Sequence, residues 1–218
     1  VAVVEYHNVR GTGDLSGQLV ASHSTTGALA YTSGVFDHPT WVAGAIASRN
    51  GTYAGVAPGA DIVSSSTGGY QPSLATDRAI VAAADWAINP AGGDADIVNT
   101  SIVQDTGTGA EEARRYFDAI AWEANRLPVS ASGNLSALGT WDVGSPGTGY
   151  NVLTVGGTDD RGSGSWTDDR LWYVPGSNGA GYRDPAGTPW NAHGDFNKPN
   201  VSAPAVNVLT ANGLGATG

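Results

Sequence analysis

Among its 218 residues the chain has no cysteine and no methionine. The missing thiol excludes a disulfide framework, a thiolate zinc site and a cysteine nucleophile. Positive charge is also scarce. Ten Lys and Arg, with Lys198 the sole lysine, face twenty Asp and Glu, and the formal charge is -10. Such a surface repels a phosphate backbone, so nucleic acid is not expected as a partner. Long hydrophobic runs are absent too. The stretch Ala79 to Ala84 is halted by Asp85, well short of the roughly 20 apolar residues of a membrane span, so no membrane partner is expected either.

What the chain does have is glycine and small residues. With 32 Gly, 40% hydrophobic and 14% charged residues, the composition describes one compact, loop-rich domain rather than a disordered segment. Gly, Ser, Thr and Asn in place of Lys fit a secreted or extracellular protein. There is no initiator Met, and Val1 to Val4 already reads as a buried strand. The single domain 1–218 is therefore expected to be incomplete at both ends.

Short, partly β-branched runs at Val1 to Val4, Asp61 to Val63, Asp96 to Val98, Leu127 to Ser130 and Val152 to Val155 predict strands. Helices are predicted over Thr40 to Ser48, Asp77 to Ile88 and Ala110 to Arg126. The first of these is expected to be buried nearly all round, since no polar face appears before Ser48. This alternation implies an α/β fold of three layers, a mostly parallel sheet with helices on both faces. Ligands of such sheets bind beyond the carboxyl ends of the strands. There the chain carries Glu5, then Asn99-Thr100-Ser101, then Ser132-Gly133-Asn134. Gly156 to Lys198 lacks periodicity and reads as long surface loops. Gly11-x-Gly13 is a weak nucleotide-loop signal, because the full G-x-G-x-x-G spacing is missing.

His38 opens the stretch His38-Pro39-Thr40-Trp41-Val42-Ala43-Gly44. This box, Gly55-Val56-Ala57-Pro58-Gly59-Ala60, Asp96-Ile97-Val98-Asn99-Thr100-Ser101, Ala131-Ser132-Gly133-Asn134, Val152-Leu153-Thr154-Val155-Gly156 and Lys198-Pro199-Asn200-Val201-Ser202-Ala203-Pro204 appear in that order. Together they resemble the subtilisin-like serine proteases, whose boxes read H-G-T-H-V-A-G, G-V-A-P-x-A, D-V-I-N-M-S, A-A-G-N, V-I-A-V-G and K-P-D-V-x-A-P.

The resemblance implies peptide-bond hydrolysis through an acyl-enzyme, with His38 as general base and the Asn134 amide as oxyanion donor. Glu5 occupies the place of the family's Asp, with Asp14 as the competing acid. Gly68, Gly69 and Tyr70 would form the edge along which a peptide lies, and Ser101, Ile102 and Val103 the facing wall. Val103 stands where the family has Gly and should narrow the first specificity pocket. No G-T-S-x-A-x-P string is present. The nucleophilic serine is therefore expected after Gly218, on a C-terminal segment or a second chain left by autoprocessing. Partners are a peptide or protein substrate and that segment. No metal is expected in catalysis, whereas Asp159-Asp160 and Asp168-Asp169 are candidates for a structural calcium. The alternative is an inactive protein of this fold that acts as a peptide-binding or structural module.

Overall fold

The computed structural model describes residues 1–32, 37–69, 77–103, 111–133, 143–171, 198–206, 208 and 210. Among these residues the strands and α-helices are β1 (Ala2–Glu5), β2 (Leu19–Ser24), α1 (His38–Ala47), β3 (Ile62–Ser66), α2 (Asp77–Ile88), β4 (Ile97–Thr100), α3 (Glu111–Glu123), β5 (Leu127–Ala131), β6 (Leu153–Asp159), β7 (Arg170–Leu171) and β8 (Val201–Pro204). The strands form one sheet in the order β2-β3-β1-β4-β5-β6-β7, with β8 also paired to β6. All pairings are parallel except β6 with β7.

β1 lies at the centre and is buried throughout. Its alternation divides the core. Ala2 and Val4 join Val63, Val98, Ile80, Ala84 and Phe117 under α2 and α3. Val3 joins Ala43, Ala47, Leu15, Val9 and Ile62 under α1. Helices thus cover both faces, as the strand-helix alternation predicts. Because successive side chains of a strand point to opposite faces, Glu5 follows Val3 onto the α1 side. That parity decides which helix the acid can reach.

The sheet exceeds the sequence prediction. β2, β7 and β8 carry no hydrophobic alternation and were not expected. β1 runs one residue further, so that Glu5 belongs to the strand and pairs with Ser66. α1 begins at His38 rather than Thr40 and buries one face only: Pro39, Thr40, Ala43, Gly44 and Ala47 are buried, whereas Ala45 is exposed. α2 matches its predicted bounds, and α3 stops at Glu123, before Arg126. The expected loop region from Gly156 contains the end of β6, a helical turn at Trp166–Asp168, and β7. Residues 172–197 lie outside the described residues.

The Gly55-Val56-Ala57 box has a physical task, which is to close the C-terminal end of α1. The last carbonyls of a helix lack intrahelical partners. Here Ala45 O accepts from Val56 N at 3.0 Å and Ile46 O from Ala57 N at 2.7 Å. The Gln18 side-chain amide donates to Ala47 O. A Cβ at residue 55 would lie 2.5 Å from Ala47 N and 2.6 Å from Ile46 C, a clash with backbone that cannot be relieved by a rotamer change. Gly55→Ala is expected to destabilise the protein by about 2–3 kcal/mol, the scale of overpacking a fixed site, read as a lower midpoint in urea.

Candidate active site

Glu5 and His38 meet at the carboxyl edge of the sheet. Oε1 of Glu5 lies 3.1 Å from Nδ1 of His38, with the acid side chain 1% and the imidazole 56% exposed. Among the described residues no hydrogen bond of regular geometry reaches that carboxylate oxygen, so the pairing rests on its 3.1 Å approach to the imidazole. The geometry holds an imidazole by one nitrogen and leaves the other ring nitrogen toward solvent or a reacting group. The bond from Glu5 holds the His38 pKa above its usual 6.5, against the opposing effect of burial. Asp14, the competing acid, sits at the far end of α1, about 15 Å away at 1.5 Å per residue. There its carbonyl accepts from Arg49 N at 3.0 Å and its carboxylate from Asn50 Nδ2 at 3.2 Å.

Two further ionisable groups adjoin this pair. His7, at the start of the segment leaving β1, has its pKa lowered by burial, opposed by the Asp37 and Glu5 carboxylates. Asp37 directly precedes His38, is buried, and has Oδ2 2.9 Å from Nε of Arg10. His7, Arg10 and Asp37 belong to no recognised box, and only their nearness in sequence to Glu5 and His38 hints at a role.

The expected substrate edge follows β3. Thr67 N donates to Glu5 O at 2.9 Å and Gly69 N to Tyr6 O at 2.7 Å, which fastens this edge to the acid's own strand. Gly68 and Gly69 have φ of 98° and 126°, values that disfavour any side chain. On the opposite wall Ser101, Ile102 and Val103 follow β4. Ile102 is buried in the α2–α3 core, so only its main chain is open to a ligand. Val103 leans on the turn after β5: a Cβ at Gly133 would lie 2.9 Å from Val103 Cγ2. Tyr70 and Asn134 lie outside the described residues.

The acidic pairs considered for calcium are engaged in local turns. Asp159 Oδ1 accepts from Arg161 N at 2.8 Å, Asp160 Oδ1 from Gly162 N at 2.9 Å, and Asp168 Oδ1 from Ser163 Oγ at 2.7 Å. No group of three or more His, Asp or Glu side chains placed to hold a metal occurs among the described residues.

Behind the site, Asn200 ties β8 to β6. Its Oδ1 accepts from Thr154 N at 2.9 Å and from Lys198 Nζ at 2.8 Å. Beyond β8 the chain returns to α1, where Thr210 Oγ1 donates to Trp41 O at 3.0 Å. Trp41, which replaces the second His of its box, is half-buried.

The family model of the subtilase family, peptidase S8, matches residues 15–217. The chain belongs to the subtilase family. Glu5 precedes the matched stretch, so its pairing with His38 is a contribution of the geometry. Over 122 residues this subtilase is 33% identical to the minor extracellular protease Vpr of Bacillus subtilis (strain 168), an alignment covering 56% of the chain and 14% of Vpr. Solved structures share the fold. The chain matches a structure of subtilase cytotoxin SubAB with TM-score 0.69 at 24% identity, covering 100% of this chain and 68% of that one. It matches the S41 psychrophilic protease with TM-score 0.68 at 20% identity, covering 100% and 69%. The self-cleaved protease domain of PatA matches with TM-score 0.62 at 20% identity, covering 99% and 71%.

Proposed function

We propose that this subtilase is an extracellular serine endopeptidase in which Glu5 and His38 are the acid and base of the triad. The contact of a buried carboxylate with the inner nitrogen of a half-open imidazole is the observation that carries the reading. In this mechanism Nε2 of His38 removes the proton of a serine hydroxyl as the oxygen attacks the scissile carbonyl. Glu5 fixes the tautomer with Nδ1–H toward itself and stabilises the imidazolium. His38 then protonates the leaving amine. Water, activated by the same imidazole, releases the acyl group. Asn134 donates to the oxyanion, and the substrate backbone lies between the 68–70 edge and the 101–103 wall.

The serine is supplied from outside these 218 residues, since they contain no G-T-S-x-A-x-P string. The return of Thr210 to Trp41 supports its arrival beside His38. An extracellular setting is favoured by the likeness to Vpr and by the lysine-poor composition.

A base must be neutral to accept a proton, and the Glu5 bond raises the His38 pKa. The acid limb of the kcat/KM profile of the complete protein is therefore expected above pH 6.5, and a limb at or below that value contradicts the pairing. For folding, the same raised pKa gives stability that is full below the unfolded-state value and is lost as pH rises through the folded one.

Val103 is the selectivity element. It limits the residue before the scissile bond to small side chains, so Val103→Gly is expected to raise cleavage after Phe or Tyr by about tenfold or more relative to Ala, the scale of a few methylenes in an apolar pocket. A peptide library scored for both enzymes checks this, and wild-type preference for large aromatics overturns it.

A further inference from the structure

Arg10 leaves β1 five residues after the acid, and Asp37 directly precedes the base. Their side chains form a knot between the two. Nε of Arg10 lies 2.9 Å from Asp37 Oδ2. A terminal nitrogen of the same guanidinium donates to Thr32 O at 2.6 Å, and the group lies over the Tyr31 ring, 5.1 Å from its centre. The Arg10 main-chain N–H donates to Thr40 Oγ1 at 2.9 Å, inside the first turn of α1.

Asp37 behaves unlike an ordinary residue at its position. It is the N-cap of α1, where an Asp usually turns its carboxylate onto the free N–H groups of the first turn. Here it makes no such bond. The carboxylate turns to Arg10 and is buried, at 6% exposure, although a buried charge is costly unless paired. A helix start that forgoes its cap to hold a guanidinium has been shaped by something other than helix stability.

We propose that the Arg10–Asp37 pair is a positioning device for the general base. It holds the first turn of α1 against the segment leaving β1 and so keeps His38 within reach of Glu5. The inference rests on the reading of Glu5 and His38 as acid and base. Arg10 suits the task because its planar fork is held on three sides, which leaves one orientation for the carboxylate it grips. The base is attached to that carboxylate through a single peptide unit. A shift of about 1 Å in a catalytic group is enough to lower a rate about 100-fold.

The test uses the complete protein with Arg10→Met, Arg10→Lys and Asp37→Asn. In Arg10→Met and Asp37→Asn, kcat is expected to fall about 10- to 100-fold with KM changed less than about twofold. In both, the NMR titration of the His38 imidazole should move down toward 6.5 as the Glu5 contact opens. Arg10→Lys keeps the charge beside Asp37 but not the planar fork, and should restore both readouts only in part. If Arg10→Met does not fold, Asp37→Asn carries the same expectation. Folded variants with unchanged kcat and unchanged His38 titration overturn the proposal. So does a fall in kcat that leaves the titration unmoved. Glu5→Gln separates the two readings: if it moves the His38 titration and the Arg10 and Asp37 variants do not, only the positioning role fails. If Glu5→Gln leaves His38 unmoved, the acid-base reading itself has failed.

Discussion

Glu5→Gln is expected to lower kcat/KM by about 10⁴-fold, the scale of replacing a triad carboxylate by its amide. The carboxylate reaches His38 Nδ1 at 3.1 Å from a fully buried position. In the proposed triad it accepts from the Nδ1–H and faces the charge that develops on the imidazole. An amide at the same place loses that charge. With its NH₂ toward the ring it also forces Nδ1 to accept, which puts the remaining proton on Nε2, where it cannot take another from serine. The loss should fall on kcat, since nothing in the peptide cleft is altered. Stability should be preserved or slightly improved, because a buried carboxylate is removed and its shape is kept. Steady-state kinetics on a chromogenic peptide together with a thermal melt test both halves. A variant retaining more than a tenth of wild-type kcat/KM would remove Glu5 from the triad.

The largest stability effect is expected at Asn8, which is fully buried beside the site. Its Nδ2 donates to His23 O at 2.7 Å and to Ser64 Oγ at 3.2 Å. Its Oδ1 accepts from Ala30 N and Ser66 Oγ, both at 3.0 Å. One side chain thus links the exit of β1 to β2, to two serines of β3, and to the loop before α1. β3 is buried at every position yet reads Ile62-Val63-Ser64-Ser65-Ser66, so its hydroxyls need partners inside the protein. Ser65 finds one in Ala83 O at 2.8 Å. Ser66 and Ala30 would be left facing a void in Asn8→Ala. At about 1–3 kcal/mol for each buried group left unpaired, plus the cavity, a loss of about 4 kcal/mol is expected. That is a large share of the 5–15 kcal/mol typical of a domain. Urea unfolding of the complete protein would reveal it, and a loss below about 1 kcal/mol would mean that the network does not hold the sheet.

The contrast between Glu5 and Asn8 shows which parts of the molecule are legible in the chain. Glu5 could be singled out because a run of small apolar residues ends on it, and the period of two then assigns it to the α1 face. α2 is legible from a largely apolar stretch of helical length, of which Ile80, Ala83, Ala84 and Ala87 form the buried face. β2 and β8 are not. Leu19-Val20-Ala21-Ser22-His23-Ser24 lies at one border of the sheet, and Val201-Ser202-Ala203-Pro204 is exposed along its length. Neither needs the alternation that announces a strand with a wet and a dry face.

α1 misleads in the opposite direction. Its unbroken apolarity suggests burial all round, yet it packs on one side, and its outward apolar residues include the exposed Ala45. Asn8, Arg10 and Asp37 are invisible for a third reason. The partners Asn8 finds in Ser64 and Ser66, and Arg10 in Asp37, are 27 to 58 residues away. Such pairs exist only once β1, β3 and α1 have been laid side by side.

The proposed triad requires a serine that His38 activates. The most direct measurement is labelling of the complete protein by a fluorophosphonate probe, followed by mapping of the modified peptide. A single serine outside these 218 residues should be labelled, and labelling should be abolished in His38→Ala and strongly slowed in Glu5→Gln. Failure to label the folded wild-type protein, or labelling that survives His38→Ala undiminished, would contradict it.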